Sequence, residues 1–564
     1  MEWRNRMKKT LCVILGLLMS LSVAACGKGP GLTEAIDPNR TQLYVFNYDG
    51  GVGTEWLYEI KERFEAEYKD TCFEPGTNKM GVQIMIEANK LSFYNDEKIK
   101  SSPNEVFFTE NVGYTDMVSQ GLLLDITDLV TADENGVSLE DRMTDKQKEA
   151  LIALKGKYYA LPHYDGYRGV SYDIDLFEEK GLYFADEKDN GNNGFIISSS
   201  DKRSAGPDGK YGTKDDGLPS TMAEFFRLFD YMLSSNVTPF VYTGMYPEYT
   251  SYVVEWIYSN YAGADVASLD YTFDSGDMEV EIITGFEELK NNMFGAEPIT
   301  EKVKIAPENG YLMKQQTGKY YGLAFLNKMV SDSRYYYSLS TNQTFSHLDA
   351  QEAFIYSKLE NKPIAMLIDG SYWVNEAQGA FRRSIEDYGT RAENRNFGWM
   401  PLPTTVDGEV SSEQTGKNAA KDTVRSYAYI NGNIADDENK VKLAKLFLSY
   451  CYKLENLQKF TEVTGCARGL NYELTEENKS QMSTFALSVW DMRQTTEMVR
   501  PISSSEIFMN NEKEFYNSPW ESVVSNQPYV NPVTAFRNSI SAMDYFNGMK
   551  IYKRDWEEDY SRWF

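Results

Sequence analysis

The chain has 564 residues and a formal net charge of −27 at pH 7, with 84 acidic side chains against 57 basic ones. An acidic surface repels phosphate, which excludes nucleic acid as the expected partner, and the length predicts at least two folded lobes. Only two histidines occur, His163 and His347, which excludes zinc sites built from several histidines.

The N-terminus has the pattern of an export signal. Four basic residues precede an apolar stretch at 11–23, which is short for a membrane-spanning helix. The sequence VAAC, ending at Cys26, resembles the lipobox of bacterial lipoproteins, in which the signal is removed before an acylated cysteine. We therefore expect a signal peptide at 1–25, a lipidated tether at 26–40, and a body anchored at the extracytoplasmic face of the cell membrane. The alternatives are an ordinary secretory signal and an uncleaved anchor.

Strands and helices alternate along the next part of the chain. QLYVFNY, from residue 42, predicts a buried strand that runs into a glycine turn, and Thr54 is well placed to cap the following helix. That helix has apolar residues at helical spacing, at Trp56, Leu57, Ile60 and Phe64. VQIMIEA and EVFF predict two further strands, and GYTDMVSQGLLLDI predicts a helix and turn beyond them. This order predicts a parallel sheet.

Motifs of common enzymes are missing from the sequence. There is no GxSxG, no GxxxxGK[ST], and no GxGxxG after a strand. A glycoside hydrolase needs only two carboxylates at a set separation, so the sequence is compatible with one but offers no motif in support. We expect a protein that is not an enzyme and has no catalytic residues.

Seven sequence motifs carry a family resemblance. NEVFFTENVGYTDMVSQGLLLDITDLV resembles the region of bacterial extracellular solute-binding proteins where a strand delivers a ligand loop. GKYYALPHYDGYRGVSYDIDLFEEKGL is similar to their first crossing between lobes, and LPSTMAEFF to the helix that follows. NKPIAMLIDGSYWVNEA, FGWMPLPTT, and the helix pair and TGC loop from residue 439 resemble later parts of the same family, in the same order. The match is closest to the family 1 type, the large lipoprotein receptors of carbohydrate ABC importers, although Met222 stands where they commonly have tryptophan.

The resemblance implies an α/β, two-lobed, periplasmic-binding-protein-like fold. Each lobe would be a mainly parallel sheet flanked by helices, with the ligand cleft at the crossing strands and hinge closure around the ligand. We place the first lobe at 41–162 and 426–464, and the second at 163–425 and 465–564. Insertions are expected near 186–214 and 279–342.

The aromatic content of 14%, including 40 tyrosines, suits a sugar site, because sugar rings offer C–H faces to aromatic platforms and hydroxyls to polar groups. The resemblance places twelve expected ligand-binding residues at the cleft: Asp49, Glu110, Asn111, Tyr114, Tyr164, Asp165, Arg168, Tyr246, Tyr249, Tyr372, Trp373 and Arg468. The same turns contain Tyr252, Asp369 and Glu376.

Structural roles are the alternative for these residues. Asp49 and Glu110 could be capping or solvated loop acids. Trp56, at helical spacing, is expected in the core. Tyr249 and Trp373 are favoured as stacking platforms, because the family places such aromatics in these two turns.

The expected function is that of a monomeric receptor that captures an oligosaccharide and delivers it to the permease subunits of an ABC transporter. No cofactor is required for this. The alternatives are a receptor for a non-sugar solute such as a peptide, a lipid-anchored glycan-degrading enzyme, and a surface adhesin.

SAGPDGKYGTKDDGLPST, at 204–221, resembles turns of exported bacterial proteins, some of which carry calcium. Asp208, Asp215 and Asp216 could coordinate a hard cation such as Ca²⁺ together with backbone carbonyls. The EF-hand pattern does not fit, because Lys210 and Gly212 stand where alternate acids should be. The alternative is a tight double turn that leads into a helix.

Overall fold

A computed structural model describes residues 34–90, 96–133, 136–186, 194–198, 200–289, 292–389, 395–408, 418–422, 424–517 and 520–560. The expected signal peptide at 1–25 and Cys26 lie outside these ranges. In the part of the chain that is described, no helix is long and apolar enough to cross a membrane. Cys451 and Cys466, for which the sequence allows either a disulfide or free thiols, are buried free thiols.

The strands, in chain order, are β1 (Thr41–Tyr48), β2 (Val82–Asn89), β3 (Val106–Thr109), β4 (Ala160–Pro162), β5 (Arg168–Asp173), β6 (Thr238–Val241), β7 (Glu279–Glu288), β8 (Ala296–Lys304), β9 (Ile364–Gly370), β10 (Phe397–Met400), β11 (Ala419–Lys421), β12 (Tyr427–Ile430), β13 (Glu497–Val499), β14 (Ser522–Val524) and β15 (Gln527–Tyr529).

The α-helices are α1 (Glu55–Glu67), α2 (Asp96–Ser101), α3 (Tyr114–Ser119), α4 (Thr127–Thr131), α5 (Asp145–Ile152), α6 (Ile174–Lys180), α7 (Met222–Ser234), α8 (Ser251–Ala262), α9 (Ala264–Thr272), α10 (Thr317–Ser331), α11 (His347–Ser357), α12 (Trp373–Glu376), α13 (Gln378–Tyr388), α14 (Glu438–Cys451), α15 (Leu454–Thr464), α16 (Glu476–Gln481), α17 (Thr484–Thr495), α18 (Glu506–Asn517), α19 (Pro532–Arg537), α20 (Ala542–Gly548) and α21 (Lys553–Tyr560). Short 3₁₀ helices include Pro247–Thr250 and Pro307–Gln315.

The first lobe is built on a five-stranded sheet in the order β2-β1-β3-β12-β4. β1 pairs in parallel with β2 and β3, and β12 runs antiparallel between β3 and β4. Helix α1 buries Trp56, Leu57, Ile60 and Phe64, so the apolar face predicted from their spacing is confirmed. Thr54 stands at the N-cap position, but the predicted cap is wrong: its hydroxyl accepts from the Asn47 amide at 3.1 Å and donates to Asp49, and makes no capping hydrogen bond.

The second lobe contains a four-stranded sheet in the order β10-β5-β9-β6. β6 runs parallel to β9, whereas β5 runs antiparallel to both β9 and β10. All residues of β9 are buried, as expected for a central strand covered on both faces. Each sheet therefore has one strand that runs against the others, β12 in the first sheet and β5 in the second. Both of these strands directly follow a crossing from the other lobe. In each sheet all strands but one run in the same direction, as predicted for an α/β fold with mainly parallel sheets. Because the reversed strand β5 lies between β9 and β10, the pairings in the second sheet are mostly antiparallel.

Three segments cross between the lobes side by side. The Tyr164 N–H donates to the Ser426 hydroxyl at 3.0 Å, and this hydroxyl donates to the Tyr164 carbonyl at 2.8 Å. The Asp165 N–H donates to the Ala467 carbonyl at 2.8 Å, which adds the third segment. At Gly166 a Cβ atom would collide with the Val424 side chain, so the close approach of the first two crossings requires glycine.

The buried apolar side chains divide into two main cores, one in each lobe. The first extends past the predicted boundary at 464, because Cys466 and Leu470 pack in it. Helix α17 contributes to both cores: Trp490 lies in the first and Phe485 in the second. In the expected insertion at 279–342, β7 and β8 form an antiparallel hairpin.

The C-terminal part of the chain also contacts the first lobe. Glu512 in α18 is 2% exposed, and its carboxylate accepts hydrogen bonds from the N–H groups of Tyr114 at 3.1 Å and Thr115 at 3.0 Å. These N–H groups belong to the first turn of α3, where a carboxylate is favourably placed.

Asp165 joins the first crossing to the third segment. This carboxylate is 2% exposed and forms ion pairs with Arg493 at 2.9 Å and Arg500 at 2.6 Å. Asp165→Asn should lower the free energy of unfolding by about 3 to 5 kcal/mol, because it leaves two arginines without their buried counter-charge. Chemical denaturation of the variant measures this loss.

The matched control is Asp265→Asn, which removes an exposed ion pair to Lys146. Exposed pairs contribute about 0 to 1 kcal/mol, so this variant should unfold nearly as the parent does. Equal losses in the two variants would contradict a structural role for Asp165.

Candidate functional site

The first lobe contributes two loops to the edge where the lobes meet. β1 ends at Tyr48 and leads into a turn in which Gly51 adopts φ +52°. β3, its parallel neighbour, is followed by Glu110. Because parallel strands end at the same edge of a sheet, the two loops meet: a Cβ atom on Gly51 would collide with the carboxylate of Glu110.

The second lobe contributes the end of β9, the short helix α12 and the start of β5. Asp369 lies near the end of β9, and Glu376 ends α12. Gln351, from α11, donates hydrogen bonds to Asp369 at 3.0 Å and to Glu376 at 3.1 Å. The Arg168 Nε donates to the Tyr372 hydroxyl at 3.0 Å.

Direct contacts join these groups. The Tyr164 hydroxyl, from a crossing segment that packs in the first core, donates to Glu110. Across the lobes, the Gly51 N–H donates to the Glu376 carboxylate at 3.1 Å. The rings of Tyr164 and Tyr372 lie 6.4 Å apart in a T-shaped arrangement. We call Gly51, Glu110, Tyr164, Arg168, Asp369, Tyr372 and Glu376 the cross-lobe cluster.

The cross-lobe cluster holds three carboxyl groups around one guanidinium. Burial raises the pKa of Glu110 to about 7, against the opposing effects of the Tyr164 hydrogen bond and the charge of Arg168. Burial, and then the charge of Glu376, raise the pKa of Asp369 above its ordinary value. Near neutral pH the cluster therefore presents carboxylic acid O–H groups as well as carboxylate oxygens.

Aromatic side chains with some exposure surround the cluster. Tyr246 is 37% exposed, and its ring lies 6.1 Å from that of Tyr249 and 5.7 Å from that of His347. Tyr48, on the first lobe, has a pKa raised to about 12 by burial and by the nearby charges of Glu110 and Glu376. We call Tyr48, Tyr246, Tyr249 and His347 the aromatic mouth.

The structure brings together six of the predicted residues. Glu110, Tyr164, Arg168 and Tyr372 lie in the cross-lobe cluster, and Tyr246 and Tyr249 lie in the aromatic mouth. Two others lie beside this region: Asp49 is exposed in the glycine turn and accepts from Thr54, and the Asn111 N–H donates to the Val424 carbonyl.

Four predicted ligand-binding residues are placed elsewhere. Tyr114 is 1% exposed and donates to the Leu151 carbonyl, so it is a core residue. Trp373 is fully buried in the second core. Arg468 is fully buried in the first lobe, with its guanidinium 4.4 Å from the Trp56 ring and 3.9 Å from that of Phe460. The Asp165 carboxylate forms ion pairs with Arg493 and Arg500. These four side chains are therefore not part of the cross-lobe cluster or the aromatic mouth in this structure, and their role in ligand binding stays a prediction.

Tyr48, His347 and Gln351 also lie at this site, although none of them was among the predicted ligand-binding residues. Tyr48 is the last residue of β1 and Gln351 lies within α11, and the sequence pattern of a strand or a helix indicates only a structural role. His347 carried one signal, its rarity, since the chain has only two histidines. Burial lowers the pKa of His347; the charge of Glu376 opposes this shift, and that of Lys90 acts in the same sense as burial.

The acidic turn at 204–221 satisfies its carboxylates internally. Asp208 accepts from the Lys210 N–H at 2.7 Å, Asp216 from the Gly212 N–H at 2.8 Å, and Asp215 from the Asp208 N–H at 3.0 Å. Among the described residues, no three side chains of the metal-binding types come together as a metal site. These hydrogen bonds fit the tight double turn. Calcium binding by this segment stays a prediction, which calorimetry with Ca²⁺ would test.

No family model matches the chain, and neither does any curated protein. Solved structures of similar fold include a chitin oligosaccharide binding protein, at 13% identity and TM-score 0.51, over 92% of this chain and 99% of that one. The maltose-bound MalE3 of T. maritima has the same identity, TM-score and coverages. The cyclic alpha-maltosyl-1,6-maltose binding protein from Arthrobacter globiformis has 11% identity and TM-score 0.50, over 91% and 97%. The chain therefore has the two-lobed fold of these binding proteins, and the predicted fold class is confirmed.

The raised pKa of Glu110 predicts a pH dependence of stability. Its pKa rises from 4.5 to about 7 on folding, so the folded state holds this proton more tightly and stability falls as pH rises through that window. Glu110→Gln removes this loss, so its free energy of unfolding relative to the parent should rise by about 3 kcal/mol between pH 4.5 and 7. Denaturant titrations at several pH values measure the difference.

Glu308→Gln is the control, because Glu308 is an exposed glutamate outside the cluster. Its stability difference from the parent should be constant over the same pH range. A constant difference for Glu110→Gln as well would show that the Glu110 pKa is ordinary.

The burial of Trp373 predicts a structural phenotype. Trp373→Ala should lower the free energy of unfolding by about 3 to 5 kcal/mol, because it leaves a cavity among Phe354, Phe397 and Phe485. Thermal denaturation measures this, with Tyr552→Ala as control, since Tyr552 is 67% exposed. An unchanged melting temperature would mean that Trp373 lies in the open cleft.

Proposed function

We propose that this protein is a solute-binding receptor that captures an oligosaccharide between its two lobes by hinge closure. The observation that supports this most is the cross-lobe cluster, because carboxyl and guanidinium groups from both lobes converge there at the edge of the first core. A ligand held at this position would contact both lobes at once, which is how binding can favour closure.

The chemistry of the cluster suits a neutral ligand rich in hydroxyls. A hydroxyl both donates and accepts hydrogen bonds, and so does a protonated carboxyl group. Three carboxyl groups against one arginine disfavour an anionic ligand. The guanidinium of Arg168, held 4.8 Å from the ring centre of Tyr252, adds fixed hydrogen-bond donors.

The aromatic mouth supplies the second requirement of a sugar site. Tyr246 and Tyr249 have rings inclined by only 29° to each other, which gives an aromatic surface at the entrance. Pockets for small ligands commonly combine apolar walls with a few placed polar groups. The chitin oligosaccharide and maltose named for two similar structures are consistent with this class of ligand.

The remaining steps of the proposed function rest on the resemblance of the sequence. The receptor would be a monomer held at the outer face of the membrane by acylated Cys26, and it would deliver its ligand to the permease subunits of an ABC transporter. It would not be an enzyme and would need no cofactor.

A ligand screen tests the proposal. Thermal denaturation of the purified protein is measured with neutral oligosaccharides and with peptides, and small-angle scattering reports the closure of the lobes. We expect a higher melting temperature and a smaller radius of gyration with at least one oligosaccharide. Stabilisation by peptides alone would support a peptide receptor, and release of reducing sugar would support a glycan-degrading enzyme; either result refutes the proposal.

The aromatic mouth predicts a binding defect without a folding defect. Tyr246→Ala should weaken binding of the oligosaccharide found in the screen about tenfold, because it removes a stacking surface. The control is Tyr388→Ala, since Tyr388 is 38% exposed against 37% for Tyr246, and it bonds to Glu360 on the surface. Calorimetric titration measures both affinities. Equal affinities in the two variants would exclude Tyr246 from the site.

A further inference from the structure

Residues 110–113, which we call the β3–α3 loop, join the end of β3 to the start of α3. Glu110, at the start of this loop, belongs to the cross-lobe cluster. Asn111, next to it, adopts φ +56°. This is the left-handed region of the backbone, which residues other than glycine seldom occupy. The loop therefore depends on partners outside itself to keep its shape.

The middle of the β3–α3 loop bonds to the second crossing. The Asn111 N–H donates to the Val424 carbonyl at 3.0 Å, and the Val112 N–H donates to the Arg425 carbonyl at 3.3 Å. The side chain of Val112 is 1% exposed and packs in the first core. These contacts fix the middle of the loop, and its far end, where α3 begins, has a different partner.

Glu512 holds the far end of the β3–α3 loop. Its carboxylate accepts hydrogen bonds from three successive N–H groups of α3, those of Tyr114 at 3.1 Å, Thr115 at 3.0 Å and Asp116 at 3.4 Å. The Thr115 hydroxyl donates to the same carboxylate. The first N–H groups of a helix have no partner within the helix, so Glu512 supplies what the backbone of α3 lacks. The N–H groups in turn offset the cost of burying the carboxylate.

Helix α18, which carries Glu512, packs on the second lobe. Phe508 lies in the second core, with its ring 5.8 Å from that of Tyr271. The hydroxyl of Ser505, directly before the helix, donates to the Tyr271 carbonyl at 2.8 Å. The helix is kinked at Asn511, the residue that precedes Glu512. A carboxylate carried by one lobe thus holds a loop of the other lobe.

We propose that Glu512 is a positioning residue of the candidate site: from the second lobe it fixes the β3–α3 loop, and thereby the place of the Glu110 carboxyl group in the cross-lobe cluster. Glu512 bonds to the first turn of α3 and acts on the cluster only through the loop. The consequence for ligand affinity rests on the function proposed above, whereas the hold on the loop can be measured without a ligand.

Hydrogen exchange of the purified protein without ligand tests the hold on the loop. In Glu512→Gln an NH₂ group, which cannot accept a hydrogen bond, replaces one carboxylate oxygen. The amides of Tyr114 and Thr115 should therefore exchange at least about tenfold faster in this variant. The amides of β2, in the same lobe, should exchange as in the parent. Equal exchange at α3 in the parent and the variant would overturn the proposal.

Glu506→Gln is the matched control, because Glu506 is an exposed glutamate at the start of the same helix. This variant makes the same chemical change at the surface, so exchange at α3 should stay as in the parent. Faster exchange throughout the first lobe of Glu512→Gln, with β2 included, would mean a general loss of stability and would also overturn the positioning role.

The pH dependence of stability reports on the place of the Glu110 carboxyl group. The titratable and charged groups that face it are Tyr164, Arg168, Glu376 and Asp422. In the parent, Glu110→Gln removes the stability lost between pH 4.5 and 7. In the Glu512→Gln background the same substitution should remove about half of this loss or less, because a displaced carboxyl group gains water and its pKa returns toward the ordinary value. Comparing the two backgrounds cancels the titration of Glu512 itself. An undiminished effect of Glu110→Gln would show that Glu110 keeps its place without Glu512, which overturns the proposal.

Calorimetric titration with the oligosaccharide found in the screen tests the consequence for binding. Glu512→Gln should weaken the affinity about tenfold, because a misplaced carboxyl group no longer meets the sugar, and Glu506→Gln should leave it unchanged. Parent affinity in Glu512→Gln would show that Glu512 is only a structural cap of α3. Failure of every oligosaccharide to bind the parent would refute the proposed function instead, and the exchange and pH measurements would still decide the role of Glu512.

Discussion

The arrangement of the whole molecule depends on three chain segments that cross between the lobes and bond to one another. Tyr164 and Ser426 exchange hydrogen bonds, and Asp165 ties the first crossing to the third segment through its N–H and its two arginine partners. The first two crossings lead into β5 and β12, the strands that run against the direction of the others in their sheets. The loops that follow β1 and β3 then face the end of β9. Glu110 and Asp369 come into one cluster by this route, although they lie in different lobes.

Much of the fold could be predicted from local patterns in the sequence, because these patterns follow backbone geometry. The spacing of Trp56, Ile60 and Phe64 marks a helix face, and the alternation of strands and helices indicates α/β lobes. The candidate site was predicted less well. Neighbouring residues face opposite ways at the end of a strand: Tyr372 joins the cluster, whereas Trp373 points into the core. A sequence gives the turn and its residue types, but the direction of each side chain is set by the packing of the completed lobes.

Helix α8 links the candidate site to the interior of the second lobe. Tyr252, in its first turn, packs against Arg168 of the cross-lobe cluster. Glu255, about one turn later, accepts a hydrogen bond from Trp520 and forms an ion pair with Lys421. The net charge of −27 sums all side chains of the chain, so the position of such buried ion pairs is set by local packing and not by the overall charge.

The proposed hinge motion depends on which contacts hold the two lobes together. The contacts between the lobes near the cluster include hydrogen bonds, such as Gly51 to Glu376 and Asn375 to the Thr464 carbonyl at 2.8 Å, beside the Tyr372 ring, which packs in the first core. Each contributes only about 1 kcal/mol, because water replaces the lost partner when the lobes separate. Helix α17 is different, since Trp490 packs in the first core and Phe485 in the second. In the hinge motion proposed above, one of these two apolar contacts would have to be broken, so the packing of α17 opposes separation of the lobes.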